Sequence, residues 1–179
     1  TNDEILANRI YALRNHGMQM LRARYDCIMP GFNYRMNELE AVLGLVQLRE
    51  IERHIAERRR LANLYVEALR DVSEISFQAV LPQCVTVWQA FVIRLHNISA
   101  KDAIAHLRAT GIEASIGTYA VHMLKFYAEK YGISPSDYPN AAELYAKSIA
   151  LPFFNGMTPQ DIKHVCETLR GVVNEDRTS

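Results

Sequence analysis

The sequence lacks several features that would assign a class of function directly. Neither sign of charge is in excess, because 20 Lys and Arg balance 20 Asp and Glu, whereas nucleic-acid binders usually carry a basic surplus. No apolar run reaches the roughly 18 residues that a membrane span requires. The first residues, TNDEILANRI, do not resemble a secretory signal peptide. We therefore expect a cytoplasmic protein that binds neither nucleic acid nor membranes.

Cysteine and histidine are too scattered for the common metal and redox motifs. Cys27, Cys84 and Cys166 form no C-x-x-C pair, and an odd count predicts free thiols in a reducing compartment. The histidines form no H-E-x-x-H motif, so no metal site is expected. His16 and His122 differ from the others because each lies in or beside an irregular, glycine-containing segment, where sites concentrate. A structural hydrogen-bonding role is the alternative for both.

The composition is that of a globular protein, with 49% hydrophobic and 22% charged residues. The first segment, residues 3–15, has apolar residues at helical spacing, with Asp3 suited to cap the helix and Gly17 to end it. This helix begins almost at the first residue, which predicts that the chain is part of a longer protein. Residues 17–35 are expected to be irregular, with a turn at Pro30 and Gly31.

Residues 36–70 are the most informative segment. They contain no proline and a single glycine, Gly44, and strong helix formers dominate, so the sequence predicts one long helix. The first half of this helix is apolar around much of its circumference, and such a helix must be buried. The remaining residues are too few to cover it on every side. We therefore expect it to pack against a missing domain, a second subunit or both.

The pattern after residue 71 alternates strands and helices, which predicts an α/β domain. Strands are expected at 75–77, 87–95, 112–116 and 148–151, and helices at 99–110, 124–131, 141–147 and from Pro159 to about Arg170.

Two loops carry the candidate binding residues. Residues 30–37 lead into the long helix, whose first amides can hold an anion. There Asn33 can donate to a phosphate oxygen, and Arg35 can pair with phosphate or carboxylate. The alternative is a turn at Asn33, a structural ion pair of Arg35 and a helix cap at Asn37. In residues 117–122, Tyr119 and His122 are candidates for contact with a polar ligand, and packing and capping are their alternative roles.

Several stretches in one order resemble the C-terminal half of the DegT/DnrJ/StrS-type sugar aminotransferases, which are PLP-dependent enzymes of fold type I. The most specific stretch is GFNYRMNELEAVLGLVQL; the others are TNDEILANRIYALRNHGM, GTYAVHMLKFYAEKYG and SIALPFFNGMTPQDIKHVCETL. The resemblance implies an α/β fold. Residues 1–35 would be a remnant of the large PLP-binding domain with an interface loop, 36–71 a connecting helix, and 72–179 a small domain with flanking helices.

The resemblance also implies an activity, namely transfer of an amino group from glutamate to a nucleotide-linked keto sugar by a homodimer that binds pyridoxal 5'-phosphate. Asn33, with Arg35 beside it, matches the position that contacts the cofactor phosphate across the dimer interface. His16, Tyr119 and His122 match regions that line the sugar-nucleotide side of the cleft. The Schiff-base lysine of the family lies upstream of the segment resembling TNDEILANRI, so the chain alone is expected to be inactive.

Two alternatives to the aminotransferase stay open at the level of sequence. Some members of the same family are dehydratases with histidine in place of the lysine, and the deciding position lies upstream of the matching segments. Residues 87–116, read as strand, helix and strand, are also compatible with a non-catalytic module for small-molecule binding or assembly. The uncovered apolar helix at 36–70 argues against a freestanding module, because large exposed apolar patches are rare on stable monomers.

Overall fold

The computed structural model describes residues 1–175, and the chain divides into two compact units after Ile51. This division falls within the segment assigned to the connecting helix, and the assignment of 1–35, 36–71 and 72–179 to parts of a larger enzyme stays a prediction. The helices and strands, in chain order, are α1 (Glu4–Arg14), β1 (Met18–Leu21), β2 (Arg24–Cys27), α2 (Glu38–Arg49), α3 (Ile51–Leu69), β3 (Ile75–Phe77), β4 (Phe91–Leu95), α4 (Ala100–Ala109), β5 (Ser115–Ile116), α5 (Lys125–Tyr131), α6 (Pro139–Lys147), β6 (Ser148–Leu151) and α7 (Pro159–Glu175).

The N-terminal unit begins as the sequence predicts and then departs from it. Asp3 caps α1 by accepting from the Leu6 amide at 3.0 Å. Residues 17–35 are not wholly irregular, because β1 and β2 pair as an antiparallel hairpin. Its two-residue turn holds Arg22 at φ 57°, a conformation for which glycine and asparagine are the usual residues. The turn therefore carries no signal in the sequence.

The prediction of one long helix over 36–70 is wrong in one respect. The segment forms two helices, α2 and α3, which meet at Glu50. The Glu50 amide donates back to the carbonyls of Gln47 and Leu48, and its backbone lies at φ −98°, ψ −1°. This tightened turn interrupts the regular pattern of helical hydrogen bonds. Helix α2 begins with a full capping box between Asn37 and Glu40, so the expected cap at Asn37 is confirmed.

A four-stranded antiparallel sheet in the order β3-β4-β6-β5 forms the C-terminal unit. Strands β4 and β5 both pair with β6, which lies between them, so the predicted strand–helix–strand segment spans one intervening strand. Strand β4 starts at Phe91 rather than at residue 87, because Phe91 and Leu151 are the last residues that pair between β4 and β6. The next residue of that chain, Pro152, has no backbone N–H with which to continue the pairing. Strand β5 is shorter than predicted, at two residues.

One face of this sheet carries the hydrophobic core. Helices α3, α4 and α7 pack their buried residues against it. The Tyr65 ring stacks on Phe91 with centroids 4.7 Å apart, and the Tyr65 hydroxyl donates to the Pro152 carbonyl at 2.7 Å. The core includes Leu61, Tyr65, Leu69, Phe91, Ile93, Leu95, Ala103, Leu107, Ile149, Ile162, Leu169 and Val173. This packing confirms the small α/β sheet with flanking helices that the sequence predicts.

Helix α7 starts at Pro159, as the sequence predicts, and continues to Glu175, beyond the predicted end near Arg170. The Thr158 amide donates to Asp161 at 2.8 Å, and the Asp161 amide donates to the Thr158 hydroxyl at 3.2 Å. These two bonds form a reciprocal cap. The Asp71 carboxylate accepts from the Arg170 guanidinium, whose Nη1 lies 3.1 Å from Oδ2, and this bond holds the pKa of Asp71 below its ordinary value. Among residues 1–175, no helix combines the length and apolar character of a membrane span.

Candidate functional site

The segment that carries Asn33 lies against the C-terminal end of α1. The amides of Phe32 and Tyr34 donate to the carbonyls of Leu13 and Arg14 at 2.6 and 2.9 Å, and the His16 amide returns a bond to the Phe32 carbonyl at 2.8 Å. Helix-end carbonyls have no partner within the helix, so the loop satisfies them. The backbone of Asn33 is thereby held in an antiparallel bridge with Asn15, the residue that follows α1.

Two glycines allow this close approach. Gly17 lies at φ +71°, and a Cβ there would come within 1.6 Å of the Met29 carbonyl oxygen. A Cβ on Gly31 would come within 2.0 Å of the Gly17 amide nitrogen. Any side chain at either position would push the two backbones apart. These glycines therefore set the position of residues 28–34 against α1.

Asn33 and Arg35 contact each other and leave several donors available. The Arg35 Nε donates to Asn33 Oδ1 at 3.1 Å, which orients the amide with its Nδ2 as the remaining donor. Within residues 1–175, Asn33 Nδ2 and the terminal guanidinium nitrogens of Arg35 make no hydrogen bond, and Arg35 pairs with no carboxylate. Arg35 therefore does not form the structural ion pair that was its alternative role, within the described part of the chain.

Arg35 also lines a concave surface of the N-terminal unit with a volume of ≈ 380 Å³. A second guanidinium, that of Arg14, lies on the same surface, 5.1 Å from the centroid of the Tyr11 ring. Three amide side chains, two tyrosine rings, one alanine and two methionines complete the lining, and the described lining includes no carboxylate. The lining residues are Asn8, Tyr11, Ala12, Arg14, Asn15, Met18, Gln19, Met20, Tyr25 and Arg35. This set of donors is suited to an anion such as phosphate.

His16 belongs to the same unit, in the turn between α1 and β1. Its backbone has φ 57° and its side chain is exposed. The His16 carbonyl accepts from the Cys27 thiol at 3.4 Å, so the backbone is tied to the hairpin while the imidazole faces outward. The exposed ring is sterically able to meet a ligand, and its role in substrate binding stays a prediction.

Tyr119 and His122 lie in the C-terminal unit, between β5 and α5, in contrasting environments. Tyr119 is 61% exposed, and its ring lies 5.6 Å from the Tyr145 ring. His122 is only 8% exposed, on a 3₁₀ turn, with its ring 5.1 Å from the Tyr138 ring. Its Nε2 is buried and has no partner within residues 1–175. Tyr119 therefore offers a surface to a ligand directly, whereas His122 is part of the packed loop.

The structure thus brings Asn33 and Arg35 into contact and adds groups that sequence reasoning missed. Asn8 and Arg14 of α1, together with Asn15 at its C-cap, join Arg35 on one surface. The spacing of Asn8 and Asn15, at i and i+7, gave a partial signal, since residues at this spacing lie on one side of a helix. The contact between Gly17 and Gly31 had no local signal, because it joins positions 14 residues apart.

Comparison with known proteins places the chain in a family. The model of the DegT/DnrJ/EryC1/StrS aminotransferase family matches residues 1–170. The chain belongs to this family.

Curated relatives match nearly all of this chain and about half of their own length. The chain is 32% identical to the Erythromycin biosynthesis sensory transduction protein EryC1 of Saccharopolyspora erythraea, over 95% of this chain and 45% of that protein. It is 30% identical to GDP-perosamine synthase of Caulobacter vibrioides, over 97% and 47% of the two chains. It is 26% identical to the Spore coat polysaccharide biosynthesis protein SpsC of Bacillus subtilis, over 97% and 48%.

Solved structures agree on the fold. The structure described as "Putative sugar aminotransferase Spr1654 from Streptococcus pneumoniae, PMP-form" superposes with a TM-score of 0.86 at 21% identity, over 98% of this chain and 47% of that one. A DegT DnrJ EryC1 StrS aminotransferase from Brucella abortus gives a TM-score of 0.78 at 26% identity, over 96% and 44%. The chain therefore spans about half the length of the aminotransferases that it matches.

Proposed function

We propose that this chain is the C-terminal half of a PLP-dependent aminotransferase that moves an amino group from glutamate to a nucleotide-linked keto sugar. The family match over residues 1–170 carries this proposal. The relatives named GDP-perosamine synthase support a nucleotide-linked substrate. The substrate and the donor are proposals for this chain, since it covers about half of those relatives.

Residues 30–37, which we call the Asn33 loop, carry side chains that fit a cofactor phosphate. An anion of this kind needs several N–H donors, which Asn33 Nδ2 and the Arg35 guanidinium provide. The concave surface that Arg35 lines has no carboxylate among its described residues. Asn33 would donate to a phosphate oxygen, and Arg35 would orient the Asn33 amide and add positive charge. When bound, pyridoxal 5'-phosphate supplies the electron sink for amino transfer.

The substrate side is proposed to involve His16, Tyr119 and His122. Tyr119 presents an exposed ring that a sugar or nucleotide can contact. His16 presents an exposed imidazole from the turn that also anchors the Asn33 loop. His122, buried beside Tyr138, would hold the loop that carries Tyr119 and thus act as a positioning residue.

We further propose a homodimer in which the uncovered apolar surface of α2 is buried. Leu39 is 84% exposed and Leu43 is 63% exposed. Residues Leu39, Val42, Leu43, Leu45, Val46 and Leu48 are all exposed, so the apolar surface extends around the helix. One side would meet the rest of the enzyme, and another would approach the partner subunit.

In the full-length enzyme, we expect Asn33→Ala to weaken cofactor retention about 10- to 100-fold, because it removes a hydrogen bond to a charged phosphate worth about 1.5–3 kcal/mol. Cofactor dissociation would be followed by absorbance during dialysis against a scavenger, with the melting temperature of the apoenzyme as the measure of folding. Asn63→Ala is the matched control, since Asn63 is an exposed amide on α3. Unchanged cofactor retention in Asn33→Ala would indicate that Asn33 only supports a turn.

The chain alone is proposed to be inactive as a transaminase. Its lysines, 101, 125, 130, 147 and 163, lack the sequence context of the family's Schiff-base lysine. After incubation with pyridoxal 5'-phosphate and borohydride, we expect only low, scattered labelling when lysine peptides are mapped by mass spectrometry. Stoichiometric labelling of one lysine would contradict the proposal that the catalytic lysine lies outside this chain.

A further inference from the structure

The loop that follows β6 contains the one Asn-Gly pair of the sequence, Asn155 and Gly156. The Met157 amide donates to the Phe154 carbonyl at 3.4 Å, and Gly156 lies at φ +99°. These features define a four-residue turn with glycine at its third position, where a left-handed backbone is required. The pair therefore lies in a turn whose second residue is an asparagine.

The backbone nitrogen of Gly156 is available as a nucleophile. Gly156 is exposed, and nothing lies within 4 Å of a Cβ added to it. Within residues 1–175, its amide makes no hydrogen bond. Because glycine carries no side chain, it does not hinder attack of its own nitrogen on the side-chain carbon of the preceding asparagine.

The side-chain amide of Asn155 is held by His54 of α3. Asn155 Nδ2 lies 2.5 Å from His54 Nδ1 and donates to it when the imidazole proton is on Nε2. Asn155 Oδ1 is buried and has no hydrogen-bond partner within residues 1–175. Attack on the amide carbon would place negative charge on this oxygen, and a developing charge without donors is poorly stabilised. The fixed nitrogen and the unsupported oxygen both slow the attack in the folded chain.

We propose that Asn155 is a modification site of the folded chain, which undergoes spontaneous deamidation through Gly156 at a rate that His54 restrains. A bond forms between the Gly156 nitrogen and Asn155 Cγ, and the bond from Cγ to Nδ2 breaks. The Gly156 amide proton passes to water and the leaving nitrogen takes one up, so ammonia leaves and a cyclic imide remains. Addition of water opens the imide to aspartate or isoaspartate, without an oxidant or a reductant.

The isoaspartate product changes the backbone of the turn. It inserts one additional carbon into the main chain at position 155. Met157, two residues further on, is 4% exposed and belongs to the hydrophobic core. Because the core is closely packed, a lengthened turn cannot keep both its hydrogen bond and this side chain in place. Modification at Asn155 therefore loosens the loop that follows β6.

The chain itself serves for the test, by incubation at mildly alkaline pH and peptide mapping that separates asparagine, aspartate and isoaspartate. His54→Ala should accelerate deamidation at Asn155 about 2- to 10-fold, which corresponds to loss of one side-chain hydrogen bond. In denaturant the two chains should be modified at the same rate. His164→Ala is the matched control, because His164 is an exposed histidine on α7. Asn140, exposed on α6 and followed by alanine, is the internal reference for unfolding.

Three results would overturn the proposal. One is a folded chain that stays unmodified at Asn155, with and without His54→Ala, over a period in which the chain in denaturant is modified there. Another is a rate at Asn155 that His54→Ala leaves unchanged, or that His164→Ala raises equally. The third is an acceleration at Asn140 as large as that at Asn155, which would attribute the effect to unfolding of the chain.

Discussion

Replacement of Gly17 by alanine is expected to displace the segment that carries Asn33 and Arg35. The Gly17 backbone lies at φ +71°, and an added Cβ would come within 1.6 Å of the Met29 carbonyl oxygen. A left-handed conformation costs a residue other than glycine about 1–2 kcal/mol, and the overlap with backbone adds to this cost. The hydrogen bonds of residues 32 and 34 to the end of α1 should therefore open more often.

Native-state hydrogen exchange measures this effect on the amides of His16, Phe32 and Tyr34, which donate within the loop. Their exchange in Gly17→Ala should be at least about 5- to 30-fold faster, which corresponds to 1–2 kcal/mol of local stability. Cofactor retention in the full-length variant should fall with it, because Asn33 would no longer be held in place.

Two other glycines serve to separate the energetic cost of the backbone conformation from the cost of steric overlap between the added Cβ and its neighbours. Gly132 has φ +63° with nothing within 4 Å of an added Cβ, so Gly132→Ala should show the conformational cost alone. Gly171 lies within α7, also with open space around a Cβ, and its replacement by alanine should stabilise α7 by about 0.5–1 kcal/mol. Protection of the loop amides in Gly17→Ala equal to that of the unmodified chain would contradict the role assigned to Gly17.

The second large effect concerns self-association through α2. Leu39, Leu43 and Val46 lie at i, i+4 and i+7 and are exposed, so they form one apolar stripe. We expect the chain to associate at tens of micromolar, most simply as a twofold dimer. Aspartate at positions 43 and 46 should weaken association at least about 100-fold, since burying one such side chain contributes about 1.5–3 kcal/mol.

Sedimentation velocity over a concentration series measures this change for the Leu43→Asp, Val46→Asp double variant. Val85→Asp is the matched control, because Val85 is an exposed apolar residue in a loop of the C-terminal unit. The control should associate as the unmodified chain does. If the unmodified chain sediments as a monomer at tens of micromolar, the proposed burial of α2 against a second copy is wrong.

The features that the sequence determined by itself are local ones. The caps at Asp3, Asn37 and Thr158 each depend on a side chain and an amide within three residues, so residues close together in the sequence suffice to identify them. The periodic helices α4 and α7 and the β-branched core of β4 follow from the same short-range patterns. The motif around GFNYRMNELE is also a local string, and it was enough to identify the family.

Only the tertiary structure decided the features that join distant positions. Strand β4 begins at Phe91 because its partner β6 ends at Leu151, and the order β3-β4-β6-β5 depends on strands far apart in the chain. The hairpin turn at Arg22 and the interruption at Glu50 use residues with no turn signal of their own. A concave surface of the C-terminal unit likewise combines Lys101 with Tyr119, which no sequence spacing associates. In each case the deciding free energy lies in non-local pairing or packing, which local propensity does not encode.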